Sequence, residues 1–470
     1  MTADLVRGIF TNRTLNLRSI KAIGYDMDYT LIHYRTVDLE RRAYEITRSR
    51  LAASGWPVED LEFDPDSVAR GLAVDLELGN LVKATRFGYV IRAAHGTRML
   101  SYEEVRNAYA GTLIDLAENR YEFMNTLYSV SEGNLFAQLV DLFDQGRLPG
   151  IRSYFELSEA VQRALDRTHM DGDLKAEIHA DPDRYVVPDP EVVRALLDQQ
   201  HAGKHLMLIT NADWEFADRM MKLAFDPSLP GDMTWRQLFP TVIVSSGKPG
   251  FFSHDHHFYR VVDEENAMLQ PHRGPLEDGS VYYGGNANVL ETSLGLSGDE
   301  ILYVGDHLFG DVHVSKSMFR WRTALILREL EAELRAVVAF QDAEERLTTL
   351  MAEKGDLEHR RAVLRLEALR AEHGSAGPAD DVEDVEGELA SLQTLIVGLD
   401  DQIAPMARAS GELGNPTWGP LMRAGNDKSL FARQVERYAD VYTSRASNFL
   451  FETPFAFLRA PRGTLPHDPV

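Results

Sequence analysis

Lys21-Ala22-Ile23-Gly24-Tyr25-Asp26-Met27-Asp28-Tyr29-Thr30-Leu31 is the stretch on which the fold turns. Its first half is short and apolar, as a buried strand requires, and it ends in a polar turn with two carboxylates. Three other stretches repeat this design. Lys204 to Ile209 leads into Thr210-Asn211, Thr241 to Val244 leads toward Ser246-Gly247-Lys248-Pro249-Gly250, and Glu300 to Val304 leads into Gly305-Asp306. Before the second lies Pro190 to Gln200, with Val192, Val193, Leu196 and Leu197 at helical spacing and proline where a first turn accepts it. Apolar strands alternating with helices predict an α/β fold with a parallel sheet covered on both faces. Such sheets bind ligands at the carboxyl ends of their strands, where these polar turns fall.

About 170 residues separate the first strand from the second, far more than a crossover needs. Helical patterns at Tyr102 to Leu116, Asn134 to Gln145 and Glu156 to Thr168 identify an inserted, mainly helical cap domain. From Leu327 to about Ala409 an apolar stripe (Leu330, Leu334, Val338, Leu347, Met351, Leu357, Leu364, Leu369) runs among Glu, Arg and Ala. It is broken at Gly374 to Asp381 and followed by a second helical pattern from Val385 to Met406, so a helical hairpin is expected, as an antiparallel coiled coil or a simpler packed pair. Ser429 to Leu458 reads as a terminal helix docking on the core. The expected domains are core at 1–60 and 186–326, cap at 61–185, hairpin at 327–409 and a docking C-terminal segment at 410–470.

The 470 residues are long enough for two or three domains, and a 44% hydrophobic content is ordinary for a soluble protein. No apolar run is long enough to span a bilayer and no signal peptide opens the chain, so a cytoplasmic location is expected. With no cysteine, disulfides, thiolate metal sites and thiol nucleophiles are excluded. A net charge of −24 disfavours nucleic acid as a partner, since a polyanion needs a broad basic face. A small anion can still bind, provided a pocket of cations, N–H groups and metal works against that field.

Asp26 and Asp28, two apart on one loop, can divide the labour of phosphoryl transfer. Asp26 can attack phosphorus, and Asp28 can protonate the leaving alkoxide and later deprotonate water. Asp-x-Asp alone is a weak pattern, shared with calcium loops. The other strand ends strengthen it. Thr210 and Asn211 offer a hydroxyl, an amide and N–H groups, Lys248 a cation on a glycine-flanked loop, and Asp306 and Asp311 two more carboxylates. A nucleophile, a fixed cation, an acid and oxygen ligands suited to Mg²⁺ are the parts a phosphoryl group in flight requires.

This order resembles the haloacid dehalogenase superfamily, whose four motifs are matched by Asp26/Asp28, Thr210, Lys248 and Asp306/Asp311. The resemblance implies a Rossmann-like core, Mg²⁺ as cofactor and a phospho-aspartate at Asp26. Asp28 would be the general acid/base and a metal ligand through its carbonyl, Thr210 and Lys248 would hold the phosphoryl group, and Asp306 and Asp311 would complete and support the metal site. Gly24 to Leu31, Arg70-Gly71-Leu72, Gly79-Asn80-Leu81, His95-Gly96, Asn125-Thr126-Leu127-Tyr128, Ile301 to Ser315 and Leu430 to Tyr442 are in addition similar to the cytosolic purine 5′-nucleotidases that prefer inosine and guanosine monophosphates. By that resemblance Tyr128 stacks on the base, Asp166, His169 and Lys175 lie near base and ribose, and Gln162 stands where an arginine is usual. Asn125, Phe309, Gln434, Arg437 and Tyr438 resemble the lining of a nucleotide effector pocket, with Ser317 in place of its lysine and no long acidic tail after Pro466. The family suggests a homo-oligomer, a dimer or tetramer, and a phospho-aspartate open to interception by a nucleoside. Two other readings stay open: a phosphatase for another small phosphate ester, and an interaction protein built on the helical hairpin.

Overall fold

The computed structural model describes residues 5–170, 172–375 and 385–463. Its centre is a ten-stranded sheet. Seven strands run parallel, in the spatial order Val441–Thr443, Arg322–Ile326, Ile301–Gly305, Ala22–Tyr25, His205–Ile209, Thr241–Val244 and Ser280–Gly284. Antiparallel strands close both edges: Phe10–Thr11 at one, Phe258–Asp263 and then Met268–Pro271 at the other. Side chains alternate between two cores, as period-2 geometry demands. Ile23, Tyr25, Leu206, Leu208, Leu302 and Val304 enter one face, while Met207, Ile209, Ile243, Ile301 and Tyr303 enter the other. This is the Rossmann-like parallel core the resemblance implies.

The insertion after the first strand of this parallel set holds the helices Ser129–Asp144 and Tyr154–Met170. It also holds a five-stranded antiparallel sheet, in the order Arg98–Met99, Val90–His95, Asn80–Ala84, Ala73–Asp75, Tyr121–Phe123. These strands have two to six residues each, too short for a periodic signal. The helix expected over Tyr102 to Leu116 ends at Tyr109, since Gly111 takes a φ of +77° that a helix cannot continue through.

The terminal helix expected over Ser429 to Leu458 is a correction. Leu430–Tyr438 is α-helical and Ala446–Phe451 forms a 3₁₀ helix; between them Val441–Thr443 joins the central sheet beside Arg322–Ile326. Asp440 makes the switch. Its buried carboxylate accepts Lys316 Nζ at 2.5 Å, Arg322 Nε at 3.1 Å and the Thr323 N–H at 3.0 Å, pinning the chain to the sheet before a β-favouring Val-Tyr-Thr run.

Two compact units emerge: Met1–Glu331 with Leu421–Val470, and Ala332–Pro420. In the second, the helices Leu330–Glu372 and Val385–Gly411 pack antiparallel through Leu347, Leu350, Leu399 and Ile403. Lys354–Asp400 and Arg360–Glu388, each at 2.5 Å, flank that seam. The stripe drifts off it: Val338, Met351 and Leu369 are exposed. The break read between the helices lies outside the described residues from Ala376 to Asp381, as does the end of the chain from Thr464. Among the described residues no helix is long and apolar enough to cross a membrane.

Candidate active site

The carboxyl ends of four adjacent parallel strands deliver Asp26, Thr210, Lys248 and Asp306 to one cleft of about 470 Å³. Lys248 is its hub. Nζ lies 2.8 Å from Asp26 Oδ1 and 2.8 Å from Asp311 Oδ1, and donates to Tyr303 Oη at 2.9 Å. Burial opposes the charge on this lysine, but the two aspartates outweigh it and hold the ammonium protonated well above the usual range. Tyr303 in turn donates to the Ile209 carbonyl at 3.0 Å. Its ring lies over Gly24, where a Cβ would come within 2.8 Å, so the glycine before the Asp-x-Asp loop gives room for the lysine's support. Gly305 does the same for Asp311, whose carboxylate occupies the space a Cβ would need.

Asp26, Asp306 and Asp311 bring carboxylate oxygens within 4.8 Å of one another. Burial raises Asp26 to about 7, with Lys248 pulling it down and Asp311 pushing it up. Asp306 is pushed well above the carboxylate range by burial and by the charges of Asp26 and Asp311. Its Oδ2 is buried without a hydrogen-bond partner. An orphaned carboxylate oxygen among mutually repelling acids is what a divalent cation would satisfy, and the all-oxygen donor set suits Mg²⁺.

Asp28 lines the same cleft, raised by burial and pulled back by Tyr34, whose hydroxyl donates to Oδ1 at 2.5 Å. Thr210 is buried and its Oγ1 accepts the Ala212 N–H at 3.1 Å. The Asn211 amide is committed to the neighbouring loop: Oδ1 accepts the Lys248 N–H at 2.7 Å and the Ser246 hydroxyl at 2.9 Å, while Nδ2 donates to the Lys248 carbonyl at 3.1 Å. Asn211 therefore shapes the lysine loop with its side chain.

Tyr128, Asp166, His169 and Lys175 line the cleft's other wall. The Tyr128 ring meets Tyr29 and His169 edge-on, at 4.9 and 5.1 Å. Burial and then Lys175 lower His169 to about 4, so its ring is neutral. Lys175 pairs with Asp213 at 2.5 Å. The residues read as an effector lining lie apart from these wall residues. Phe309 packs against Phe123 and Tyr438, the His313 ring sits 4.1 Å from Tyr438, and the Arg437 guanidinium lies over the Tyr438 ring. Gln434 is buried on the same helix, and Asn125 lines a second cavity beside the cleft.

Tyr34 and Tyr303 carried no signal in the sequence. Arg70 stood in a stretch of resemblance without a role. In the fold its buried guanidinium donates to the carbonyls of Asp306 and Asn125, tying the insertion to the acid loop.

The sequence pattern of the 5′ nucleotidase family matches residues 9–470. A 5′-nucleotidase domain-containing protein of Dictyostelium discoideum is 27% identical over 98% of this chain and 74% of its own length. The 5′-nucleotidase domain-containing protein 2 of Homo sapiens is 27% identical over 98% of this chain and 85% of its own. Among solved structures, an archaeal beta-phosphoglucomutase from Pyrococcus sp. strain ST 04 is similar at 11% identity and a TM-score of 0.31, over 66% of this chain and 87% of that one.

Proposed function

The chain belongs to the 5′ nucleotidase family, and from that premise we propose that it hydrolyses purine nucleoside 5′-monophosphates with Mg²⁺ through a phospho-aspartate at Asp26. Membership makes it a hydrolase of phosphomonoesters. The intermediate, the metal and the purine belong to the proposal. The observation that carries it is the Lys248 ammonium held 2.8 Å from both Asp26 and Asp311, beside the orphaned oxygen of Asp306.

Asp26 Oδ1 holds Lys248 Nζ and the Met27 N–H, each at 2.8 Å, so attack on phosphorus falls to Oδ2. Asp28, raised by burial, keeps a proton for the departing 5′ oxygen; it then takes one from the water that releases phosphate from Asp26. Lys248 and the backbone at Thr210 and Asn211 hold the phosphoryl oxygens. Asp26, Asp306 and the Asp28 carbonyl would hold Mg²⁺, with Asp311 steadying Lys248; bound there, the ion neutralises charge on the phosphoryl group. Tyr128, Asp166, His169 and Lys175 on the facing wall support a nucleoside as the leaving group. A nucleoside hydroxyl in place of water would turn the same intermediate to phosphotransfer, detected as a new monophosphate when nucleoside is added.

The test compares inosine and guanosine monophosphates with a sugar phosphate, with Mg²⁺ and after chelation. Nucleotides should be preferred, and chelation should abolish turnover. A sugar phosphate hydrolysed equally fast removes the purine claim. Asp26→Asn should lower kcat by at least about a thousandfold with the melting transition retained, and an active variant would overturn the mechanism.

A further inference from the structure

Met268–Pro271 is the last strand of the ten-stranded sheet, paired with Phe258–Asp263 on one side and, among the described residues, with no strand on the other. All four of its residues are exposed, Met268 and Leu269 by 57% and 43%. Tyr259 stands opposite Pro271 and Tyr283 opposite Tyr259, so their exposed rings share a face of the sheet with Leu269. An open, apolar edge is a template for a further strand, and lysine, a common guard against such pairing, is absent from 258–273.

The backbone decides which strand fits. The His272 N–H donates to the Phe258 carbonyl at 2.9 Å, so alternation turns Gln270 inward and leaves Leu269 and Pro271 facing out. The edge therefore offers the N–H and carbonyl of Leu269 and the carbonyl of Pro271, which has no N–H. When two copies meet antiparallel about a two-fold axis, Leu269 set against itself pairs both of its groups. Leu269 set against Pro271 leaves the leucine carbonyl without a donor, so the proline selects the first register. Counted outward from Leu269, that register brings Arg273 of one copy to Glu265 of the other, at both ends of the contact. Both side chains are exposed, and neither has an ion partner among the described residues of its own copy. Two chains of net charge −24 repel each other, so a specific contact needs local opposite charges of this kind. We propose that Met268–Pro271 is a self-association edge, where a second copy of this chain adds its own Met268–Pro271 across a two-fold axis at Leu269 and continues the sheet.

The test is sedimentation of the full chain over a range of concentrations, beside variants. Leu269→Lys sets two ammonium groups against each other at the axis and should cut the sedimenting mass about twofold. Arg273→Glu faces Glu265 with a like charge at two symmetric places and should weaken association about tenfold. Adding Glu265→Arg to that variant reverses both charges together and should restore association. A full chain that sediments as a monomer overturns the proposal. An unchanged mass in folded Leu269→Lys overturns it too, as does a double variant no tighter than Arg273→Glu. Should Leu269→Lys not fold, the charge-reversal pair decides.

Discussion

Tyr34 fixes the direction of Asp28, since its hydroxyl donates to Oδ1 at 2.5 Å from a buried ring. A hydrogen bond to the charged form lowers a carboxyl's pKa, so removing the donor raises Asp28 further. In Tyr34→Phe the acid keeps its proton to higher pH. The alkaline limb of the kcat/KM profile should therefore move upward, while kcat falls about tenfold because the acid loses its aim. A pH profile of the variant checks both; a limb moving downward would contradict the assignment of Asp28 as acid. At this scale the sequence named Asp26, Asp28, Lys248, Asp306 and Asp311 because each follows a strand, a pattern readable in one dimension. It could not name Tyr34 or Tyr303, whose importance is a distance to a residue elsewhere in the fold.

The helix Thr36–Ala53 contributes a buried acid that joins elements rather than reacting. Glu40 accepts the Ser131 N–H at 3.2 Å, the Ser131 hydroxyl at 2.7 Å and the Tyr29 hydroxyl at 3.3 Å. It thereby holds the start of the helix Ser129–Asp144, and Tyr128 before it, against the catalytic loop. Burial raises Glu40 from 4.5 to about 7, against the pull of its hydrogen bonds. Between those values the unfolded chain has lost the proton that the native state retains, so stability falls as pH rises across that window and levels off above it. The total is on the order of 3 kcal/mol at most. Thermal melts from pH 4 to pH 8 should show that decline, and Glu40→Gln should flatten it. The sequence placed 36–53 in the first core segment, 1–60, and named no helix there. It held no sign of the acid's partners, which lie on the neighbouring helix and on the catalytic loop.

Across the whole molecule, all the residues of the cleft belong to the unit formed by Met1–Glu331 and Leu421–Val470. Within the other unit, Glu333 lies next to Gly414, so the ends of Ala332–Pro420 approach closely. Replacing 335–412 by a short glycine-serine linker should therefore leave phosphomonoester hydrolysis within about threefold of the full chain, since no cleft residue is removed. Steady-state assays check this, and lost activity in a folded variant would assign the hairpin a catalytic part. Sedimentation of the full chain beside the same variant tests the expected dimer or tetramer, and a smaller assembly in the variant would assign self-association to the hairpin.

By itself the sequence determined the parallel α/β core, the long insertion, the helix pair and the acids and lysine at the strand ends. Burial and period-2 or period-3.6 spacing are local properties that a single chain displays along its length. Tertiary structure alone decided that Val441–Thr443 is a core strand, that the insertion carries a sheet, and that Asn211 braces the lysine loop. Each of these depends on partners far away in the chain, and the free energy of a hydrogen bond or a buried charge is set by what it meets in space.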